Sequence, residues 1–264
     1  MLLRLITQQR SKLKASSFYQ PASCIGRNRW LSSVAKPFDL KIEAIVGIYD
    51  TILLYLMFSN NGMELERLQN LNISVGERWR KMTEVMVRTH LYVIAPFGFQ
   101  PDPEGIKSFA VATSQVLSKS DPSKDMEYLK DLQDIQRNTW GILVKKAFGL
   151  NEVKWLETST ARSLALGICS NLSNPVMLQK GETISKRSEL SPESKLDLIH
   201  NEIIFPSYQK AMATFGMPTD EKSYAMVSAS IQVLASSDPI VAQTMGSGLS
   251  LLMEKVPLLR GEIS

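Results

Sequence analysis

One block of residues occurs twice in the chain, and it restricts the fold to one in which helices end on glycine and restart on an acidic turn. Phe97-Gly98-Phe99 leads through Lys107-Ser108-Phe109-Ala110 and Gln115-Val116-Leu117 to Ser120-Asp121-Pro122. Phe215-Gly216-Met217 leads through Lys222-Ser223-Tyr224-Ala225 and Gln232-Val233-Leu234 to Ser237-Asp238-Pro239. The order is the same, and glycine and aspartate are 23 residues apart in the first copy and 22 in the second. A fainter third copy runs from Phe148-Gly149-Leu150 to Ser173-Asn174-Pro175, with a separation of 25. Self-similarity of this kind marks a repeated supersecondary unit.

Nearly every matched residue has a structural task. A glycine takes the left-handed conformation that closes a helix, and the apolar residue after it folds back on the last turn. Pro101-Asp102-Pro103-Glu104 and Pro218-Thr219-Asp220-Glu221 place negative charge where the next helix starts. Ser-Asp-Pro then ends that helix and caps another. Gln115 and Gln232 are the matched residues that capping leaves unexplained; they either hydrogen-bond across the two units or face solvent. The unit does not match tetratricopeptide, pentatricopeptide or HEAT signatures.

The remaining chain reads as helix almost throughout. Ser74 with Glu77 has capping-box spacing, and Trp79, Met82, Val85 and Met86 follow on one face. Arg80, Glu84 and Arg88 stand four apart, as a solvated ion-pair stripe would. Helix starts are expected at Asp121-Pro122, Ser191-Pro192 and Asp238-Pro239, and the longest loop at Gln179 to Glu189. No strand alternation is present. The expected fold class is therefore all-α: an array of eight or nine helices with an internally duplicated helix-turn-helix unit, repeat units lying near 79–147 and 191–256 within a helical domain over 32–264.

The leader carries a separate message. From Met1 to Phe38 there is no acidic residue, while Arg4, Arg10, Lys12, Lys14, Arg27, Arg29 and Lys36 are spread among leucines and serines. This is the pattern of a mitochondrial presequence, with Leu2, Leu3, Leu5 and Ile6 opening a basic amphipathic helix. Arg29-Trp30-Leu31-Ser32 resembles an arginine-led processing site, so residues 1–31 read as a presequence and the mature chain begins near Ser32. A basic tail binding nucleic acid or lipid is the other reading. Removal of residues 1–31, six basic side chains with no acids, takes the formal charge from +4 to −2. The mature chain then has no electrostatic case for nucleic acid. The expected location is the matrix or the matrix side of the inner membrane.

Ala44 to Phe58 is the most apolar stretch, yet it is short for a span and carries Asp50. It reads as a buried helix; the alternative is a peripheral contact in which Ile52 to Phe58 dips into the inner-membrane surface.

Chemistry-bearing residues are sparse. Two histidines, His90 and His200, and two cysteines, Cys24 and Cys169, are too few for a zinc cluster or a disulfide framework. Neither histidine has a nucleophile beside it in sequence, although Asp197 and Glu202 flank His200. Cys169 lies in an apolar run that reads as a buried helix. P-loop, dinucleotide, zincin and calcium-loop spacings are not found. The sequence thus assigns no catalytic, cofactor-binding or metal-ligating residue and no cofactor. The expected function is a non-catalytic mitochondrial protein, a subunit or assembly factor whose partners are other mitochondrial proteins. The alternatives are a helical carrier of a lipid or quinone, suggested by twelve methionines, and an enzyme whose site is assembled from dispersed residues.

Overall fold

The fold is described from a computed structural model covering residues 40–121, 123–256 and 259. The expected presequence over residues 1–31, its expected processing site and Cys24 lie outside the described residues. Among those described, the chain is all helix: α1 (Ile42–Phe58), α2 (Asn60–Leu68), α3 (Val75–Ile94), α4 (Pro103–Lys119), α5 (Met126–Phe148), α6 (Thr158–Leu172), α7 (Pro175–Ser185), α8 (Pro192–Ile199), α9 (Phe205–Thr214), α10 (Glu221–Ser237) and α11 (Pro239–Lys255). A π turn (His200–Ile204) joins α8 to α9 as one rod, so there are ten separate helices in a multi-helix array.

Local chemistry sets most boundaries. Ser74, Asp102, Asn174, Ser191, Asp220 and Asp238 each accept a backbone N–H at the start of a helix. Gly98, Gly149 and Gly216 have φ of 84°, 63° and 66°, and each follows a helical segment. After Gly216 the Met217 N–H reaches back to Met212 O at 3.1 Å, the longer bond of a Schellman closure. Phe99 is buried, and Leu150 and Met217 pack against the core, as expected of the residues after the glycines.

Three expectations need correction. The helix expected at Asp121-Pro122 begins at Met126, because Asp121 spends its carboxylate on the Ser123 N–H and Oγ in a turn whose carbonyl takes the Asp125 N–H. Gln179 to Glu189 is not the longest loop: its first seven residues belong to α7, and the longest helix-free stretch among the described residues is 149–157. Gly181 explains this, since a Cβ there would meet Val256 Cγ2 at 2.8 Å. Backbone packed that closely is ordered by its neighbours whatever its intrinsic propensity. The charged stripe on α3 is also not simply solvated. Arg80 pairs with Glu84 at 2.7 Å and with Asp197 of α8 at 2.8 Å, and Arg88 turns to Glu64 of α2.

One apolar core runs through the molecule. In the first half α5 lies along α1 and α2, with α3 against α1, α2 and α4; in the second α11 lies along α6, and α9 and α7 close around them. The halves meet where α10 packs on α5 and α3 packs on α8. The two copies of the sequence block are used differently: α10 packs along α11, whereas α4 leans on α3 and not along α5. Their local closures agree, and their packing partners do not.

Candidate functional site

The rod α8–α9 contains the most unusual backbone. Pro206 has no N–H to give to Glu202, and an α-helix cannot absorb that loss without losing a bond. The helix widens instead, and the Phe205 N–H donates to His200 O, five residues back. The π turn sends its first three side chains in separate directions. His200 turns into the core, Asn201 reaches the start of α3, and Glu202 pairs with Lys180 at 2.9 Å. Asn201 Oδ1 accepts from Gly76 N at 2.8 Å while its Nδ2 donates to Ser74 Oγ at 2.9 Å. Gly76 permits this approach, since a Cβ there would lie 2.7 Å from Asp197 O.

His200 faces an aromatic nest. Its Nε2 shares a 2.8 Å hydrogen bond with Tyr224 Oη, and its ring lies 6.0 Å from that of Trp79 at 30°. Trp79 also stacks against Trp140 at 6.1 Å and 18°. Tyr224 is edge-on to Phe205 and to Tyr208, each at 5.1 Å. Burial sets the electrostatics: it lowers the His200 pKa to about 3, raises Tyr208 to about 12 and holds Tyr224 well above its ordinary value. His200 is neutral throughout the physiological range. A base with so low a pKa holds no proton to give and is a weak acceptor at neutral pH. The site is a buried polar pair surrounded by rings.

The other sequence candidates are dispersed. His90 is buried on α3, donates Nδ1–H to Met86 O at 2.8 Å and has its pKa lowered by desolvation. Cys169 is half-buried rather than fully buried, packed where a Cβ at Gly248 would come within 3.0 Å of its Sγ. Gln115 is exposed and Gln232 half-buried. Of the twelve methionines, Met82, Met86, Met212 and Met245 are at most 2% exposed and fill the core. An open groove of about 570 Å³ lies between the start of α1 and the end of α4, lined by Lys41, Glu43, Gln115, Lys119 and Asp125 among others. Among the described residues no three His, Cys, Asp or Glu side chains converge as metal ligands, and no single helix is long and apolar enough to cross a membrane.

Two features escaped the sequence reading. Arg78 is buried at 8% exposure, and its guanidinium donates to Leu68 O, to Leu71 O at 3.0 Å and to Ala147 O at 3.4 Å. It therefore closes the C-terminal ends of α2 and α5 together, where a cation is favoured. The second is an apolar rim. α1 buries Ile45, Ile48, Ile52 and Leu56, but its last turns leave Leu54 and Phe58 exposed, Phe58 at 76%. The chain bends by 59° into α2, which adds Met63, and Tyr92 at the end of α3 completes the rim. The expectation of a buried helix over 44–58 thus holds for one face only.

The chain matches no protein-family model, no curated protein and no solved structure.

Proposed function

We propose that the chain is a non-catalytic mitochondrial protein, a subunit or assembly factor of a larger complex in the matrix or on the matrix side of the inner membrane. The observation that carries the interaction is a set of large exposed apolar side chains on three helices, Leu54 and Phe58 of α1, Met63 of α2 and Tyr92 of α3, whose ring lies 5.0 Å from that of Tyr55 on α1. Exposed large apolar side chains on neighbouring helices support a binding face. The charges beside it, Glu64 with Arg88 and Glu66 with Lys146, are mutually paired, which favours a neutral protein partner over nucleic acid. The polar side chains most suited to chemistry, both histidines and Arg78 among them, are committed to internal hydrogen bonds. The address rests on the acid-free leader.

Purification of the tagged chain from mitochondria, with mass spectrometry of what accompanies it, tests this reading. Stable partners are expected, and Phe58→Ser should reduce their recovery while leaving abundance unchanged; a free monomer, or equal recovery with Phe58→Ser, refutes it. A fusion of residues 1–40 to a reporter should enter mitochondria, and the mature chain should start near Ser32; cytosolic retention contradicts the address. We also infer that the two sequence blocks arose by duplication, supported by the shared glycine closures and aspartate caps. Exchange of residues 99–105 with 217–223 should then leave a folded chain, and loss of folding would count against common origin.

A further inference from the structure

Two tyrosines meet on the apolar rim. Tyr55 of α1 and Tyr92 of α3 have ring centroids 5.0 Å apart at 53°. Tyr92 is 63% exposed and Tyr55 half-buried, so both rings are open to small oxidants. The other close tyrosine pair among the described residues, Tyr208 with Tyr224, is 4% and 1% exposed. We propose that Tyr55 and Tyr92 form a modification site, an intrachain dityrosine cross-link made by one-electron oxidation with peroxide as the terminal oxidant and a haem-peroxidase catalyst.

The chemistry balances without further reagents. Each phenol loses one electron to the oxidised haem and its hydroxyl proton to solvent, giving a phenoxyl radical with spin on the ring carbons beside the C–O bond. The two radicals join by a carbon–carbon bond between those positions. The hydrogen on each joined carbon then moves through solvent to oxygen, which restores two aromatic phenols. In sum, two hydrogen atoms leave the protein and one hydrogen peroxide becomes two waters. Holding both rings in contact makes the coupling effectively unimolecular, which favours it over coupling between molecules. The link would tie α1 to α3 across the bend that carries Phe58.

The full chain at micromolar concentration, treated with hydrogen peroxide and a haem peroxidase and then digested, provides the test. One cross-linked species joining the peptides of Tyr55 and Tyr92, two hydrogens lighter than their sum, is expected, with a yield independent of protein concentration. Tyr55→Phe and Tyr92→Phe should each abolish it with circular dichroism unchanged. Absence of that species in the folded wild type, a yield that rises with protein concentration, or an equal yield in the urea-unfolded chain would overturn the proposal.

Discussion

Replacing Arg78 by methionine tests how far one side chain holds the first half together. The aliphatic stem and much of the volume are kept, while the fork that binds three helix-end carbonyls is lost. A hydrogen bond to a charged group contributes about 1.5–3 kcal/mol. Two of the three count fully, those to Leu68 O and Leu71 O, since the contact to Ala147 O is long at 3.4 Å. Two such bonds set an upper bound near 6 kcal/mol. Rehydration reduces the loss, because Leu71 is 44% exposed and its carbonyl can turn to water. The desolvation of the guanidinium, now removed, reduces it further. The expected loss is about 2–4 kcal/mol, a large part of the 5–15 kcal/mol typical of a domain. With a urea slope near 3 kcal/mol/M, the midpoint should fall by roughly 1 M at unchanged slope. Arg78→Lys should recover less than half, since an ammonium cannot span the separated carbonyls. Glu221→Gln is the control: Glu221 is 46% exposed and 3.8 Å from Arg78, so its removal should change stability by less than about 1 kcal/mol. A midpoint for Arg78→Met within about 0.2 M of wild type would refute the assignment of Arg78 as a double helix closure.

Gly98→Ala and Gly216→Ala should each destabilise by about 1–2 kcal/mol in urea titrations, purely through positive φ, because a Cβ at either site meets nothing within 4 Å. Gly149→Ala should lose about as much, since the one close neighbour of its Cβ, Gln69 Oε1 at 2.8 Å, is the end of a flexible side chain that can swing aside; a clearly larger loss at Gly149 than at the other two sites would contradict the geometry. For His200 the folded state stays neutral down to about pH 3, while the unfolded chain takes up a proton below its ordinary pKa near 6.5. The unfolded state therefore binds more protons in that window, so the contribution is complete above pH 6.5 and declines by about 1.4 kcal/mol per pH unit below it. His200→Gln should flatten the fall in urea midpoint between pH 6.5 and 4.5, leaving a residual slope of the same sign from His90; an unchanged slope would show that His200 is not the titrating group.

The parts of this fold that a reader of the sequence can find are those decided within four residues. Gly98, Gly149 and Gly216 announce helix ends, and Asp102, Asp220 and Asp238 announce starts, because turn conformation and capping are local. Asp121 shows the limit even there: the same Ser-Asp-Pro that caps α11 makes a turn four residues ahead of α5. What joins the helices is not local. Arg80 and Asp197 are 117 residues apart and Asn201 caps a helix 125 residues away, and nothing in either neighbourhood points to the other. Pro206 was the one legible sign of the π turn, since a proline inside an apolar helical pattern must be accommodated by a stop, a kink or a widening. Glycines in close contact were ambiguous: Gly181 reads as a loop residue in a polar run and proves to be where α7 presses on Val256.

The surroundings of His200 bear on whether its role is structural or chemical. Its position next to a π turn, its tyrosine partner and its flanking acids are features that also mark catalytic histidines. The acids that flank it in sequence, however, are turned away, Asp197 to Arg80 and Glu202 to Lys180, and neither is placed to stabilise an imidazolium. The ring is also walled by Trp79 and Tyr224, and a substrate would have to displace one of them to reach Nε2. A structural role predicts that function follows the amount of folded protein. His200→Gln and Tyr224→Phe, expressed in cells lacking the chain, should lower complementation and steady-state abundance together. Each alters one buried hydrogen bond, a loss on the order of 1 kcal/mol for Tyr224→Phe and more where the Gln packs poorly. Suppressing the instability at reduced growth temperature should then restore both. Normal abundance with lost complementation for His200→Gln would reverse the assignment and place a proton-transfer step at Nε2.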